Sequence, residues 1–304
     1  MDNPLLSLST HLAALVEQSG PAVVGIHSHS RAGASGVHWQ SGIIVTAEHA
    51  LRRDDEIRIV TPNGEQLKAE LAGRDPGTDL AVLKVPGLDA PVATQAAVTQ
   101  IPAGNLALAI GRARDGRATA SLGIISSAGG PWQTWRGGRL DRYLRLDLAV
   151  YPGASGGAVI DASGQVIGIA TVALSRTSPI AIPNETVNRV AGALLAHGTV
   201  PRGYLGVGLQ PVALPEHLRT RLNLSQETGL IIISVQPDGP ADKGGVLMGD
   251  LLVELAGHPV ADTDDVQVAL DAGSVGKSVR ARVVRAGAPV DLDITIGQRP
   301  GRSC

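Results

Sequence analysis

One stretch restricts the fold more than any other. Between Val150 and Val159 a single serine, Ser155, stands among Gly153, Gly156 and Gly157, with an apolar run on either side. Glycine opens backbone conformations closed to other residues and lets groups approach the main chain closely. A serine held on such a turn can offer its hydroxyl and neighbouring N–H groups to one point, as a nucleophile with an oxyanion hole requires. The segment after the turn decides between folds. Ala158–Ile160, a turn over Asp161–Gly164, and Val166–Ala170 make a β-hairpin. Residues 153–157 also match G-x-S-x-G, but the α/β-hydrolase elbow needs a helix after the serine and a histidine later in the chain. Here a hairpin comes next, and His197, His217 and His258 lie on a helix or in the C-terminal region.

Composition agrees with a mainly β protein. There are 38 Gly and 19 Pro, aromatics are 2% and Phe is absent, so many short strands must pack with Val, Ile, Leu and Ala. At 304 residues the chain has room for two domains. A net charge of -2 gives no case for a nucleic-acid partner. Cys304 is the only cysteine, so no internal disulfide is expected, and neither a metal nor another cofactor is. No apolar run reaches 18 residues, so no transmembrane segment is expected. Met1-Asp2-Asn3-Pro4 has no basic n-region. The sequence as given therefore reads as cytoplasmic; a missing targeting segment would make it periplasmic.

Along the chain, Ser9–Gln18 is expected to be a helix, with Leu12, Leu15 and Val16 on one face. Strands are expected over Ala22–Ile26, Ser41–Thr46, Glu56–Val60, Leu67–Leu71, Leu80–Val85, Leu106–Ile110, Ala118–Ser126 and Leu140–Val150, with a glycine-rich loop before Ser41. Asn184–His197 is the first long helix, capped by Asn184 and closed by Gly198; Pro201 lies just beyond, at a natural boundary. The remainder is smaller and mixed. Its strands lie near Leu205–Val212, Leu230–Val235, Leu251–Leu255 and Val279–Arg285. Its two helices lie near Pro240–Gly244 and, capped by Thr263, over Asp264–Ala272.

A catalytic serine on an all-β scaffold needs a histidine and an aspartate upstream. His49 follows an apolar strand, and Asp79 stands at the loop-to-strand junction before Leu80. Each alone could be a surface histidine or a turn aspartate, and Asp75 competes with Asp79 for the second role.

With these residues in order, the chain resembles the HtrA/Deg family: a trypsin-like double β-barrel followed by a small α+β PDZ domain. The resemblance rests on Gly20–Val24, Thr46–Ala50, Thr78–Leu83, Asp147–Gly157 and Ile180–Pro183, five blocks in the family's order. It implies a protease domain over residues 1–199, a PDZ domain over 200–298 and a tail over 299–304. It implies Ser155 as nucleophile, His49 as base and then acid, Asp79 as its orienter, and the N–H groups of Gly153 and Ser155 as oxyanion hole. The implied function is ATP-independent cleavage of unfolded or misfolded protein and peptide substrates in protein quality control, after small apolar residues. The alternative is a catalytically silent, chaperone-like or scaffold protein. A homotrimer is also implied, although the N-terminal aromatics that family trimers use are missing from residues 1–20. Ala154, Ala158 and Tyr151 depart from the family pattern, as does Gly111–Gly116, which replaces an apolar loop. A conformational switch would lie in the serine turn and the Ser127–Gly138 loop, with Trp132 and Trp135.

Tyr204, Leu205, Gly206 and Val207 resemble the family's carboxylate-binding loop, whose N–H groups would hold the C-terminus of a bound peptide. The strand Val207–Val212 would pair with that peptide, and Val266, Ala269 and Leu270 would line its side-chain pocket.

Overall fold

A computed structural model describes residues 3–27, 33–51, 56–97, 101–113, 115–270 and 274–298. The expected tail over 299–304, and the expected end of a helix at Ala272, lie outside them. The chain forms two compact units that part between Val200 and Pro201.

The first unit opens with α1 (Pro4–Ser19), longer than expected because Asn3 caps it, accepting from the N–H groups of Leu5 and Leu6. Next come β1 (Val23–His27), β2 (Ala34–Gln40), β3 (Ile43–Ala47), β4 (Ile57–Val60), β5 (Gln66–Asp75) and β6 (Leu80–Lys84). They close an antiparallel barrel in the order β1-β2-β3-β6-β5-β4. β2 replaces the loop expected before Ser41. All but its last residue are buried, so the strand has no polar outer face to alternate with the inner one. At Gly36 a side chain would meet Ile44 Cγ2 at 2.5 Å, so the glycine permits close strand packing there.

The second barrel takes β7 (Leu106–Arg112), β8 (Ala118–Gly129), β11 (Tyr143–Asp147), β12 (Ala158–Ile160), β13 (Val166–Thr171) and β14 (Ile180–Pro183). Between β8 and β11 lies a small hairpin of β9 (Trp132–Gln133) and β10 (Arg139–Leu140). The strand expected over Leu140–Val150 is thus broken, and it ends at Asp147. The hairpin expected after the serine is β12 paired with β13.

Each barrel has its own apolar interior, Ile26, Ile44 and Ile57 in the first and Ile125, Leu144 and Val159 in the second. A third cluster joins both barrels to α2 (Asn184–His197) through Val37, Trp39, Leu80, Ile110, Ile182 and Leu194. Trp39, 1% exposed, stands in for the missing phenylalanines, and its indole N–H donates to Asn188 on α2 at 2.7 Å. Asn184 does not take the capping role at α2 that its sequence position suggests. Pro183 takes the cap position, while the buried Asn184 amide donates to the carbonyls of Val166 and Ala96.

The second unit pairs β15 (Gly203–Tyr204) with β22 (Gly297–Gln298). Its main sheet runs β16 (Val207–Ala213), β17 (Thr228–Val235), β18 (Leu251–Leu255), β20 (Ser278–Arg285) and β21 (Ala288–Thr295), with β19 (His258–Pro259) paired to β18. It has three helices among the described residues, not the expected two: α3 (Glu216–Leu222), α4 (Pro240–Lys243) and α5 (Thr263–Ala269). α3 escapes a periodicity reading because Leu218 is its only buried residue. α5 is capped by Asp262 rather than Thr263, in a capping box closed by Asp265.

Candidate active site and peptide-binding loop

The first barrel presents two of the site residues. β3 ends in a short 3₁₀ turn, Glu48–Ala50, that carries His49. Asp75 and Asp79, competitors on sequence grounds, have separate places. Asp75 ends β5 and braces the turn that follows, its carboxylate accepting from the N–H of Gly77 and from the N–H and hydroxyl of Thr78. The chain then enters β6 through Asp79, whose φ of 58° lies in the left-handed region that aspartate tolerates.

Asp79 is fully buried. Its carboxylate receives the His49 N–H at 2.9 Å and His49 Nδ1 at 3.0 and 2.8 Å. The hydroxyl of Thr171, at the end of β13, donates to the same Oδ2. A carboxylate facing Nδ1 requires the proton there, which leaves Nε2 as the acceptor. The Glu48 N–H donates to the Asp79 carbonyl at 3.0 Å, so the two turns are also tied through the main chain. Burial pushes the Glu48 carboxyl above its ordinary range, an effect opposed by Arg74 and by Arg136.

The second barrel presents Ser155 on the loop between β11 and β12. Gly156, at φ 85°, seats that loop against the strand leading to His49. A side chain there would lie 2.3 Å from the Ser35 carbonyl, 2.4 Å from Thr46 Oγ1 and 2.7 Å from the Ala47 nitrogen. The Ser155 carbonyl accepts from the Ser35 N–H at 3.0 Å. Among the described residues the Ser155 hydroxyl has no hydrogen-bond partner, and its bond to His49 is not made in this structure.

The peptide groups of the turn divide into bonded and free. The Ala154 N–H donates to the Tyr151 carbonyl, Gly156 N–H to Ala170 and Gly157 N–H to Ala154. The N–H groups of Gly153 and Ser155 donate to nothing among the described residues. These are the two N–H groups assigned from sequence to an oxyanion.

The β9–β10 hairpin leans on the turn before Asp79, Thr134 Oγ1 donating to the Gly77 carbonyl at 2.6 Å. Trp132 packs edge-on against Tyr143, and Arg136 stacks on the exposed Trp135. Sequence reasoning missed Thr171, a polar residue closing an apolar run. That position is the one signal that could have marked it.

In the second unit, Tyr204 lies in β15 and Val207 opens β16. Between them the carbonyls of Leu205 and Gly206 are taken, by the N–H groups of Ala241 and Gln236 respectively, while the N–H groups of Leu205 and Gly206 donate to nothing among the described residues. Gly206 takes a φ of 79°, the left-handed conformation found in such N–H nests. The Tyr204 hydroxyl donates to Gln236. β16 is an edge strand, hydrogen-bonded only to β17 among the described residues, and α5 packs beside it. Val266 is buried in this unit's core, with Ala269 and Leu270 half-buried against it.

Comparison with known proteins agrees with both units. A trypsin-like peptidase domain matches residues 34–169 and a PDZ domain matches residues 203–296. The "Probable periplasmic serine endoprotease DegP-like" of Brucella suis is 33% identical over 285 residues, 90% of this chain and 54% of the relative. Its namesake in Pseudomonas fluorescens is 31% identical over 264 residues, 85% of this chain and 54% of the relative. The chain thus spans about half the length of the curated relatives it matches. These relatives are named periplasmic, which overturns the cytoplasmic location expected from the N-terminal residues. No helix among the described residues is long and apolar enough to cross a membrane, which bears on membrane spans and not on the compartment. Among solved structures, the HtrA-type protease AlgW with tripeptide is 31% identical, covers 95% of this chain and 97% of its own, and has a TM-score of 0.76. AlgW with decapeptide gives 28% identity, 95% and 99% coverage and a TM-score of 0.78. Two six-stranded barrels, a PDZ unit and these likenesses place the chain in the HtrA/Deg family of trypsin-like serine proteases with a C-terminal PDZ domain.

Proposed function

We propose that this chain is an ATP-independent serine endopeptidase of periplasmic protein quality control. In this reading Ser155 Oγ attacks the substrate carbonyl carbon and passes its proton to His49 Nε2. The carbonyl π electrons move to oxygen, which the free N–H groups of Gly153 and Ser155 receive. The C–N bond then breaks as His49 returns the proton to the departing amine. Water repeats the sequence to release the acyl group and regenerate Ser155. Asp79 keeps the proton of His49 on Nδ1 and stabilises the imidazolium. The observation that carries the reading is the two-point grip of the buried Asp79 carboxylate on the His49 backbone and ring. Catalytic hydrogen bonds are often long in apo sites and tighten on substrate binding, so the unmade Ser155–His49 bond does not count against this reading.

The second unit, in the same proposal, binds C-terminal peptides. The N–H groups of Leu205, Gly206 and Val207, beside Tyr204, receive the terminal carboxylate, and the free edge of β16 accepts the peptide as an added strand. The AlgW structures carry a tripeptide or a decapeptide by name, which supports peptide binding here. A homotrimer belongs to the proposal as well, and sedimentation as a monomer at working concentration would end it.

Casein digestion by the wild type beside Ser155→Ala tests the catalytic reading. Turnover by the wild type alone is expected. Equal turnover by both proteins, or none by either in the presence of C-terminal peptides, would favour the catalytically silent binder instead.

A further inference from the structure

Ser35 stands outside every catalytic role assigned above, yet it touches the serine turn at both ends. It lies on β2 and is fully buried. Its N–H donates to the Ser155 carbonyl at 3.0 Å, and its hydroxyl donates to the Gly153 carbonyl at 2.7 Å. Its own carbonyl accepts from Thr46 Oγ1 at 2.6 Å, on the strand that leads to His49.

The direction of the hydroxyl bond is set by a third residue. The backbone N–H of Arg112 donates to Ser35 Oγ at 2.8 Å, filling a lone pair and leaving the hydroxyl hydrogen for Gly153. Arg112 is itself fixed in an unusual way. Its guanidinium, 6% exposed in the residue as a whole, meets no carboxylate among the described residues. It donates instead to the carbonyls of Gly20, Val23 and Gly116, each at 2.6 Å. A buried cation is retained only where its donors are satisfied, and here the acceptors come from the segment entering β1 and the turn after β7.

The consequence appears in three successive peptide groups of the turn. The Gly153–Ala154 group is bonded at both ends, its oxygen to Ser35 Oγ and its N–H to Tyr151. The Ser155–Gly156 group is also bonded at both ends, its oxygen to the Ser35 N–H and its N–H to Ala170. The group between them is held on either side, and its N–H, that of Ser155, points at no partner among the described residues. We infer that Ser35, oriented by Arg112, is a positioning residue that holds the serine turn with the Ser155 N–H free for an oxyanion. The inference rests on the serine-peptidase reading. Arg112, the last residue of β7, belongs to the Gly111–Gly116 segment that departs from the family pattern, so the guanidinium anchoring of this backbone N–H is a feature of this chain's own sequence.

The test is the rate at which a fluorophosphonate labels the full chain, resolved into kinact and KI, for wild type, Ser155→Ala, Ser35→Ala and Ser35→Thr. Ser35→Ala should lower kinact about 10- to 100-fold, the order expected when a buried acceptor is left unpaired beside the reacting group, with KI within about twofold. Ser35→Thr keeps the hydroxyl and should recover most of the rate. If Ser35→Ala does not fold, Ser35→Cys, whose thiol is a weak donor in place of the hydroxyl, probes the same bond and should show a kinact loss in the same direction at unchanged KI. A wild type labelled no faster than Ser155→Ala overturns the peptidase reading, and this inference with it. A wild type that labels, beside a folded Ser35→Ala or Ser35→Cys with unchanged kinact, overturns the positioning role alone.

Discussion

Thr171 Oγ1 donates to Oδ2 of Asp79, the same oxygen that receives Nδ1 of His49 at 2.8 Å. The two donors come from different barrels, β13 of the second and the turn after β3 of the first. One buried carboxylate oxygen therefore ties the barrels together at the point where the histidine is aimed.

Replacing Thr171 by valine keeps the shape and removes this donor. A hydrogen bond to a charged group contributes about 1.5–3 kcal/mol, and Asp79 retains only the two donors of His49. Thr171→Val is expected to lose stability on that order, read by urea denaturation. Casein turnover should fall roughly tenfold as the carboxylate that holds the His49 ring loses its anchor from the second barrel, while binding of C-terminal peptides stays unchanged. Full turnover would show that His49 alone orients Asp79.

The parts of the site that could be read from sequence are those standing at the ends of strongly apolar runs. His49 follows β3, Asp79 precedes β6, and Ser155 lies among glycines that break the pattern on both sides. Ser35 and Arg112 left no such trace, and Thr171, though it closes an apolar run, has no glycine or turn signal beside it to mark a role. Each is one polar residue within or closing a buried strand, and its partners lie far away in the chain: Ser35 reaches Gly153 across 118 positions and Thr171 reaches Asp79 across 92. Local pattern carries no information at that range. β2 was unreadable for a related reason. His38 and Gly36 interrupt its apolar alternation, yet His38 is buried, its Nδ1 facing the carbonyls of Ala90 and Pro91 and its Nε2 accepting from the Gly42 N–H. The displaced caps at Asn184 and Thr263 show the same limit. Several residues near each helix start could cap it, and tertiary partners chose among them.

Gly156 provides the seat of the serine turn. Alanine there would need an L-residue at φ 85° and a methyl group 2.3 Å from the Ser35 carbonyl. Backbone strain of this kind costs about 1–3 kcal/mol before any clash is counted. Gly156→Ala is therefore expected to destabilise by more than about 1–3 kcal/mol, or to displace the turn and abolish casein turnover. Calorimetry with parallel casein assays separates the two, and an active variant of wild-type stability would contradict the packing described.

At the second unit, the N–H groups of Leu205 and Gly206 are free among the described residues, while their carbonyls are bonded to Ala241 and Gln236. Donors of this kind bind a carboxylate through charge-assisted hydrogen bonds, about twice as strong as neutral ones. Peptides with a free C-terminus should bind at least roughly tenfold more tightly than the same peptides amidated, a loss on the order of one charge-assisted bond. Calorimetric titration of matched pairs measures this, and equal affinities would remove the carboxylate from the recognition scheme.

The second unit also contains a pH-dependent element. Asp250 is 1% exposed and opposes Arg285, whose Nε and Nη2 reach its two oxygens at 2.8 Å each. The Leu247 N–H donates to the same carboxylate at 2.8 Å. Burial by itself would raise this carboxyl, but the Arg285 bonds and the Leu247 N–H outweigh it and hold it below its ordinary value. A carboxyl lowered by folding binds fewer protons in the native state than in the unfolded one. Its stabilising contribution is therefore complete above the ordinary carboxylate range and is lost as the pH falls through the lowered native value. Asp250→Asn removes the titration while leaving an amide of similar size. The variant is expected to be less stable than wild type at neutral pH, with the difference shrinking as both are acidified through the range below the ordinary carboxylate value. Urea midpoints of the two proteins across that range decide the matter: a gap that does not change with pH would mean that Asp250 contributes through packing, not through its charge.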